Sequence, residues 1–144
     1  MLGSVYIPPN SPLVFKKFCE QMELVLKETP NLNCAGIMVA GDFNARNQNW
    51  GDIKTNTQGT KLLEFVEKLR LRVWSDFVGN SFQCCEGGSR IDLVISDLSL
   101  PFRQHLDEIV ELFSGAPQRG HVPVWTTLIQ EPKSKNWSKE VFDW

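Results

Sequence analysis

A carboxylate and a carboxamide stand two residues apart at the end of an apolar run. Residues 36–40 predict a short buried strand, and Asp42, Phe43 and Asn44 follow it almost directly. Side chains of an extended chain alternate between faces, so Asp42 and Asn44 would point one way and Phe43 into the core. The carboxylate could bind a divalent metal or orient a water, and the amide could hydrogen-bond a phosphoryl oxygen. Taken alone, residues 41–46 are better explained as an ordinary strand-to-turn exit, since Gly, Asp and Asn are favoured in turns.

Two later segments each add one polar group. Asp92 interrupts an apolar strand predicted over 90–95, where a buried carboxylate needs a partner; Arg90 or a backbone N–H of a neighbouring strand could supply it. His121 stands behind a glycine, at the entrance of a strand predicted over 122–129. A carboxylate beside an imidazole fixes its tautomer and raises its basicity, which suits catalysis at an attacking water. A lone histidine at a strand entrance is usually a surface or capping residue, so this assignment depends on the other polar groups.

Strands and helices alternate along the chain, and they must position these groups. The apolar and β-branched runs predict strands over 2–7, 36–40, 71–74, 81–84, 90–95, 108–113 and 122–129. The first predicted helix would bury Val14, Phe18, Met22, Val25 and Leu26, and a second over 60–69 would bury Leu62, Phe65, Val66 and Leu69. A polar loop over 47–57 separates the end of the strand predicted over 36–40 from this second helix. The order is that of a mixed α and β domain.

The composition bounds the class of protein. The chain has 144 residues, with 42% hydrophobic and 22% charged residues, which is typical of one globular domain. A formal net charge of -2 gives no bulk basic field, so DNA binding would need a local basic patch. The four cysteines, Cys19, Cys34, Cys84 and Cys85, lack zinc-site spacing and predict reduced thiols in an intracellular protein. No apolar stretch approaches the ~20 residues of a membrane helix, so no membrane partner is expected.

Four motifs in a fixed order resemble the endonuclease/exonuclease/phosphatase superfamily. They are Tyr6-Ile7-Pro8, Gly41-Asp42-Phe43-Asn44-Ala45, Ser89-Arg90-Ile91-Asp92-Leu93 and Gly120-His121-Val122-Pro123-Val124. Within it the chain looks most like the apurinic-type endonuclease domain of non-LTR retrotransposons, with further support from Trp50-Gly51, the helix after Gly59 and the tail that carries Trp137 and Trp144. The similarity runs over nearly the whole chain.

This resemblance implies an α+β fold that is part of a four-layer α/β/β/α sandwich, in which two packed mixed β-sheets carry outer helices. Residues 1–129 would be the C-terminal portion of the domain, and residues 130–144 the start of the linker beyond it. The N-terminal half of the family domain, which supplies a metal-binding glutamate and an early asparagine, would be missing. Gly120 stands where the family usually has an aspartate.

The resemblance also implies a role for each motif residue. Asp42 would orient or deprotonate the attacking water, and Asn44 would bind the phosphate. Asp92 would orient the catalytic His121, and Tyr6 would hydrogen-bond the scissile phosphate. The implied reaction is hydrolysis of a DNA phosphodiester assisted by Mg²⁺ or Mn²⁺, with Asp42 and Asn44 as metal ligands. The nick would leave a 3′-hydroxyl that primes reverse transcription.

Several interpretations remain open at this stage. Arg46, Trp50 and Arg90 could stack on or pair with DNA, although packing is favoured for Arg46 and Trp50. Tyr6 could be a core aromatic. Besides DNA, the implied partners are the missing N-terminal half and a downstream reverse transcriptase, with a nuclear location for a functional protein. The isolated chain is expected to be inactive or weak, and the alternative is an inactive remnant that binds nucleic acid or protein. A phosphatase of the same superfamily is less favoured.

Overall fold

The computed structural model describes residues 1–32, 34–74, 79–84, 87–98, 100, 102–105, 120–121 and 127–130. Their strands are β1 (Leu2–Tyr6), β2 (Met38–Asp42), β3 (Leu71–Trp74), β4 (Phe82–Cys84), β5 (Gly87–Ser89), β6 (Asp92–Asp97), β7 (Phe102–His105), β8 (Gly120–His121) and β9 (Thr127–Gln130), and the helices are α1 (Pro12–Glu28) and α2 (Thr57–Lys68). The strand predicted over 108–113, most of that over 122–129, Cys85 and the tail 131–144 lie outside the described residues.

The central sheet has four strands in the order β1-β2-β6-β3. β1 runs parallel to β2, whereas β2 and β3 both run antiparallel to β6. The register places Tyr6 opposite Asp42, and Asp42 opposite Asp92. Tyr6, Asp42 and Asp92 therefore lie in one row across three adjacent strands.

The second sheet is antiparallel, in the order β5-β4-β8. β5 and β6 are separated by only Arg90 and Ile91, yet they belong to different sheets. The strand predicted over 90–95 therefore begins at Asp92, because the chain crosses between the sheets just before it. Ser81, which is fully buried, supports this crossing: its hydroxyl oxygen accepts the backbone N–H groups of Ile91 and Asp92, both at 3.0 Å.

Helix α1 begins with Pro12 in its first turn, where a missing N–H is tolerated. It buries Phe15 and Met22. Val14 is 39% exposed, so its predicted place in the core is wrong, and Phe15 is buried in the first turn instead. The rest of the predicted face is confirmed, with Met22 buried and Phe18, Val25 and Leu26 packed against the core. Phe18 lies partly buried on this face and contacts Phe43 edge to face, with ring centroids 5.5 Å apart.

Helix α2 starts at Thr57, earlier than the predicted residue 60, because the Asn56 side chain caps it by accepting the Gly59 N–H at 2.7 Å. Its predicted apolar stripe is confirmed, with Leu62, Phe65 and Val66 buried and Leu69 partly buried. The helices and the central sheet share one core, to which Ile7, Ile37, Val39, Phe43, Leu93 and Ile95 contribute from the strands and their ends.

The predicted α+β class is confirmed, while the four-layer arrangement stays a prediction. A further antiparallel pair, β7 with β9, was not predicted as a pair, although β9 overlaps the end of the strand expected over 122–129. Among the described residues, no helix has the length and apolarity to cross a membrane.

Candidate active site

Four of the five residues that were given catalytic roles from the sequence, Tyr6, Asp42, Asn44 and His121, line one cleft of about 390 Å³. Tyr6, Asp42 and Asp92 come from the central sheet, and His121 comes from β8 of the second sheet. The residues that line the cleft are Tyr6, Pro9, Asn10, Asp42, Asn44, Arg46, Asn56, Phe82, Ser89, Ile91 and His121. The predicted assembly of Tyr6, Asp42, Asn44 and His121 around a single space is therefore present, with Asp92 directly behind His121.

His121 is held by Asp92. The Nδ1 atom of His121 lies 2.9 Å from Oδ2 of Asp92, and a carboxylate only accepts, so Nδ1 carries the proton of this hydrogen bond. The partner of Asp92 is thus the imidazole, rather than Arg90 as one interpretation of the sequence had it. Phe82, opposite His121 across β4 and β8, contacts the imidazole edge to face with ring centroids 5.1 Å apart. Both contacts turn Nε2 towards Asp42, whose Oδ2 lies 3.7 Å away.

Asp42 and Asn44 form a local pair. The Asn44 backbone N–H donates to Oδ1 of Asp42 at 2.9 Å, and its amide nitrogen donates to Oδ2 at 3.1 Å. Phe43 between them is fully buried, so the predicted alternation of faces is confirmed. Gly41 permits this arrangement, because a Cβ there would collide with the Val5 carbonyl of β1.

Burial raises the pKa of the Asp42 carboxyl above its ordinary value. The charge of Asp92 acts in the same direction, while the hydrogen bonds from Asn44 and the nearby imidazole act against it. The side chain of Asp42 is 14% exposed and that of Asp92 is 24% exposed, whereas that of His121 is 51% exposed. A carboxylate with a raised proton affinity therefore faces an oriented imidazole, an arrangement suited to proton transfer.

Three side chains could hold a metal ion. One ligand atom each from Asp42, Asp92 and His121 lies within 4.8 Å of the others. Metal binding by Asn44 stays a prediction. Its amide nitrogen donates to Asp42 and also to the Ile7 carbonyl at 3.0 Å, which turns the nitrogen rather than the oxygen towards the shared carboxylate.

The other predicted site residues divide by exposure. Tyr6 is 64% exposed at the cleft, so the core-aromatic alternative does not apply. Trp50 is 1% exposed and its indole N–H donates to the Ala45 carbonyl at 3.1 Å, so a base cannot reach the ring and the packing interpretation holds. Arg46 lines the cleft, but its Nη2 lies 2.7 Å from Oδ1 of the buried Asp52. DNA contacts of Arg46 and Arg90 stay predictions.

Sequence reasoning missed three residues that support the site. Ser81 holds the backbone of Asp92, and Phe82 contacts the imidazole of His121. Asn56 donates to the Asn44 carbonyl at 3.0 Å and accepts the Arg46 N–H at 3.1 Å, besides capping α2. Only Asn56 had a usable signal, since it is an Asn just before an amphipathic helix.

Comparison with known proteins agrees with this geometry. The family model described as endonuclease-reverse transcriptase matches residues 1–115, a stretch that contains Tyr6, Asp42, Asn44 and Asp92. Among solved structures, the endonuclease domain of TRAS1, a telomere-specific non-LTR retrotransposon, is similar with a TM-score of 0.55 and 20% sequence identity. That similarity covers 71% of this chain and 46% of the TRAS1 chain.

At 20% identity the TRAS1 likeness shows the fold alone, and this chain spans less than half of that domain. No curated protein sequence matches at a significant level. The family model, by contrast, covers most of the 144 residues. The chain therefore belongs to the endonuclease-reverse transcriptase family.

Proposed function

We propose that the chain carries the acid–base centre of a metal-dependent DNA endonuclease. The observation that carries the proposal is the Asp92–His121 hydrogen bond of 2.9 Å, which aims Nε2 into the same cleft as the Asp42–Asn44 pair. Membership of the endonuclease-reverse transcriptase family supports a nucleic acid substrate. The full catalytic unit would be the four-layer sandwich expected from the sequence, of which this chain forms one part.

Each residue would have one task. Asp42, with its raised pKa, would accept a proton from the attacking water. In its doubly protonated form, His121 would donate the Nε2 proton to a phosphoryl oxygen, while Asp92 accepts from Nδ1, keeps the ring oriented and stabilises its charge. Tyr6 would hydrogen-bond the phosphate from the opposite side of the cleft, and Asn44 would keep the Asp42 carboxylate in place through its two donor groups.

The donor set suits a divalent cation. Asp42 and Asp92 offer carboxylate oxygens, which Mg²⁺ and Mn²⁺ prefer, and Nδ1 of His121 is already engaged with Asp92. We therefore assign the metal to the two carboxylates in place of the Asp42 and Asn44 pair expected from the sequence. When bound, the cation would stabilise the negative charge that develops on the phosphate.

Hydrolysis of an activated phosphodiester tests the proposal. We expect the full chain to release nitrophenolate from bis(4-nitrophenyl) phosphate in Mg²⁺ or Mn²⁺, and His121→Ala to lower the rate by about 10² or more, the usual contribution of a general acid or base. Asp42→Ala should lose a similar factor. Glu23→Gln is the matched control, because it disrupts a surface ion pair with Lys68 outside the cleft.

Equal rates for wild type and His121→Ala in both metals would refute catalysis and favour the inactive remnant that binds nucleic acid or protein. Nicking of supercoiled plasmid is a separate readout. Because this chain spans 46% of the TRAS1 domain, we assign DNA cleavage to a complete domain and expect the 144-residue chain alone to leave plasmid intact. A nuclear location and cooperation with a reverse transcriptase belong to the same proposal.

A further inference from the structure

A buried carboxylate joins the two strand ends that carry the site. The side chain of Asp52 is fully buried. It accepts two hydrogen bonds from the Arg46 guanidinium, from Nε at 3.0 Å and from Nη2 at 2.7 Å. It also accepts the backbone N–H of Lys54 at 3.0 Å and that of Arg90 at 2.8 Å. Its charge is thus matched by the Arg46 guanidinium, which supplies two donor groups, and by two backbone N–H groups.

The partners of Asp52 lie next to the site residues in the chain. Arg46 follows Asn44 by two residues, and Arg90 precedes Asp92 by two. Asp52 therefore ties the exit of β2 to the entrance of β6. Arg46 extends the link to the second sheet, since its Nη2 also donates to the carbonyl of Gly88 in β5 at 3.2 Å.

The loop that carries Asp52 is itself fixed. Trp50 anchors it in the core, with its indole N–H on the Ala45 carbonyl. Gly51 has a φ of 80°, a conformation that favours glycine, and a Cβ there would collide with the guanidinium of Arg90. Trp50 and Gly51 thus fix the backbone that leads into Asp52, and the carboxylate has a defined position for its hydrogen bonds to Arg46 and Arg90.

We infer that Arg46 and Asp52 are positioning residues, which together with the Arg90 N–H form a clamp that sets the Asp42–Asn44 pair against the Asp92–His121 pair. This inference rests on the proposed function of the cleft and extends it beyond the residues that face it. Neither the Asp52 carboxylate nor the two guanidinium nitrogens bound to it contact the reacting groups; they act through the backbone. The residues first considered for DNA contact, Arg46, Trp50 and Arg90, all belong to this clamp or to its anchor.

The tautomer of His121 reports the clamp directly. With Asp92 in place, the neutral ring carries its proton on Nδ1, whereas an imidazole without that acceptor prefers Nε2–H. Nitrogen NMR of the metal-free chain measures the Nδ1–H and Nε2–H populations of the neutral ring. Comparison with His121→Ala assigns the signals, because the chain has two histidines.

Asp52→Asn is the main variant, since it removes the charge with little change of shape. We expect the Nδ1–H population of His121 to fall at least about twofold, because a displaced Arg90 N–H lets Asp92 move. Arg46→Lys keeps the charge but loses the two-pronged contact, so a smaller fall is expected. Val66→Ala is the control; it destabilises the buried face of α2 without touching the clamp, and it should leave the tautomer unchanged.

A folded Asp52→Asn chain with the wild-type tautomer ratio would overturn the inference. If Asp52→Asn does not fold, Arg46→Lys decides by the same criterion. An equal shift in Val66→Ala would also overturn it, because the shift would then follow general loss of stability. These measurements use neither DNA nor metal, so a chain that fails to hydrolyse the diester can still confirm the clamp, and an intact diesterase with an unchanged tautomer refutes the clamp alone.

Discussion

Replacement of Ser81 by alanine should destabilise the crossing between the two sheets more than its size suggests. The hydroxyl oxygen accepts the N–H groups of Ile91 and Asp92, both at 3.0 Å, and the residue is fully buried. Alanine leaves both donors without this acceptor. A buried donor without an acceptor costs about 1–3 kcal/mol, so we expect a loss of about 3 kcal/mol after partial relaxation of the backbone.

Ser96→Ala, in β6, provides the matched control. Ser96 is 1% exposed, and its hydroxyl oxygen accepts one donor, the indole N–H of Trp74 at 2.8 Å. One lost acceptor predicts a destabilisation of about 1.5 kcal/mol. Both substitutions remove the same atom from a buried site, so the difference between them measures the loss of an acceptor for two donors rather than for one.

Urea unfolding followed by tryptophan fluorescence would measure both variants. The midpoint should move to lower urea in the order wild type, Ser96→Ala, Ser81→Ala, with an unchanged slope. For a chain of this length, a loss of about 3 kcal/mol corresponds to a fall in Tm of about 10 °C. A Ser81→Ala chain that is no less stable than Ser96→Ala would refute the role given to the sheet crossing.

Two further predictions concern titratable groups. Burial alone would raise the pKa of Asp52, but the hydrogen bonds from Arg46 and from the Lys54 and Arg90 N–H groups outweigh it and hold that pKa below its ordinary value. The ionised Asp52 therefore stabilises the folded chain fully above about pH 4, and this contribution is lost as the pH falls through the lower pKa of the folded state. Urea unfolding at decreasing pH should show that the free energy of unfolding falls more steeply with pH for wild type than for Asp52→Asn. An equal dependence on pH in the two chains would contradict this. Burial, followed by the charge of Glu23, raises the pKa of the Cys19 thiol to about 11. Brief iodoacetamide treatment should therefore label the exposed Cys84 before Cys19, as read by tandem mass spectrometry; earlier labelling of Cys19 would exclude this environment.

Local patterns predicted much of the fold. The apolar stripe of α2 is buried as its 3.6-residue period predicts, and Phe43 turns inward while its two polar neighbours turn away. The period alone did not decide which residue is buried in the first turn of α1, where Phe15 is buried and Val14 is exposed. Both residues are apolar and adjacent, so only contact with the sheet and α2 decides between them.

The site shows the same division. From the sequence, the order of the motifs and their resemblance to a known superfamily predicted that Tyr6, Asp42, Asn44, Asp92 and His121 belong to one site, because motif order can be read along the chain without the fold. Only the tertiary structure decided that Asp42 lies opposite Asp92 and that His121 bonds to it, since register depends on pairing between distant segments. It also decided that Trp50 packs in the core and that Asp52 is a buried partner of Arg46, because burial is a property of the assembled chain, which no short stretch of sequence contains.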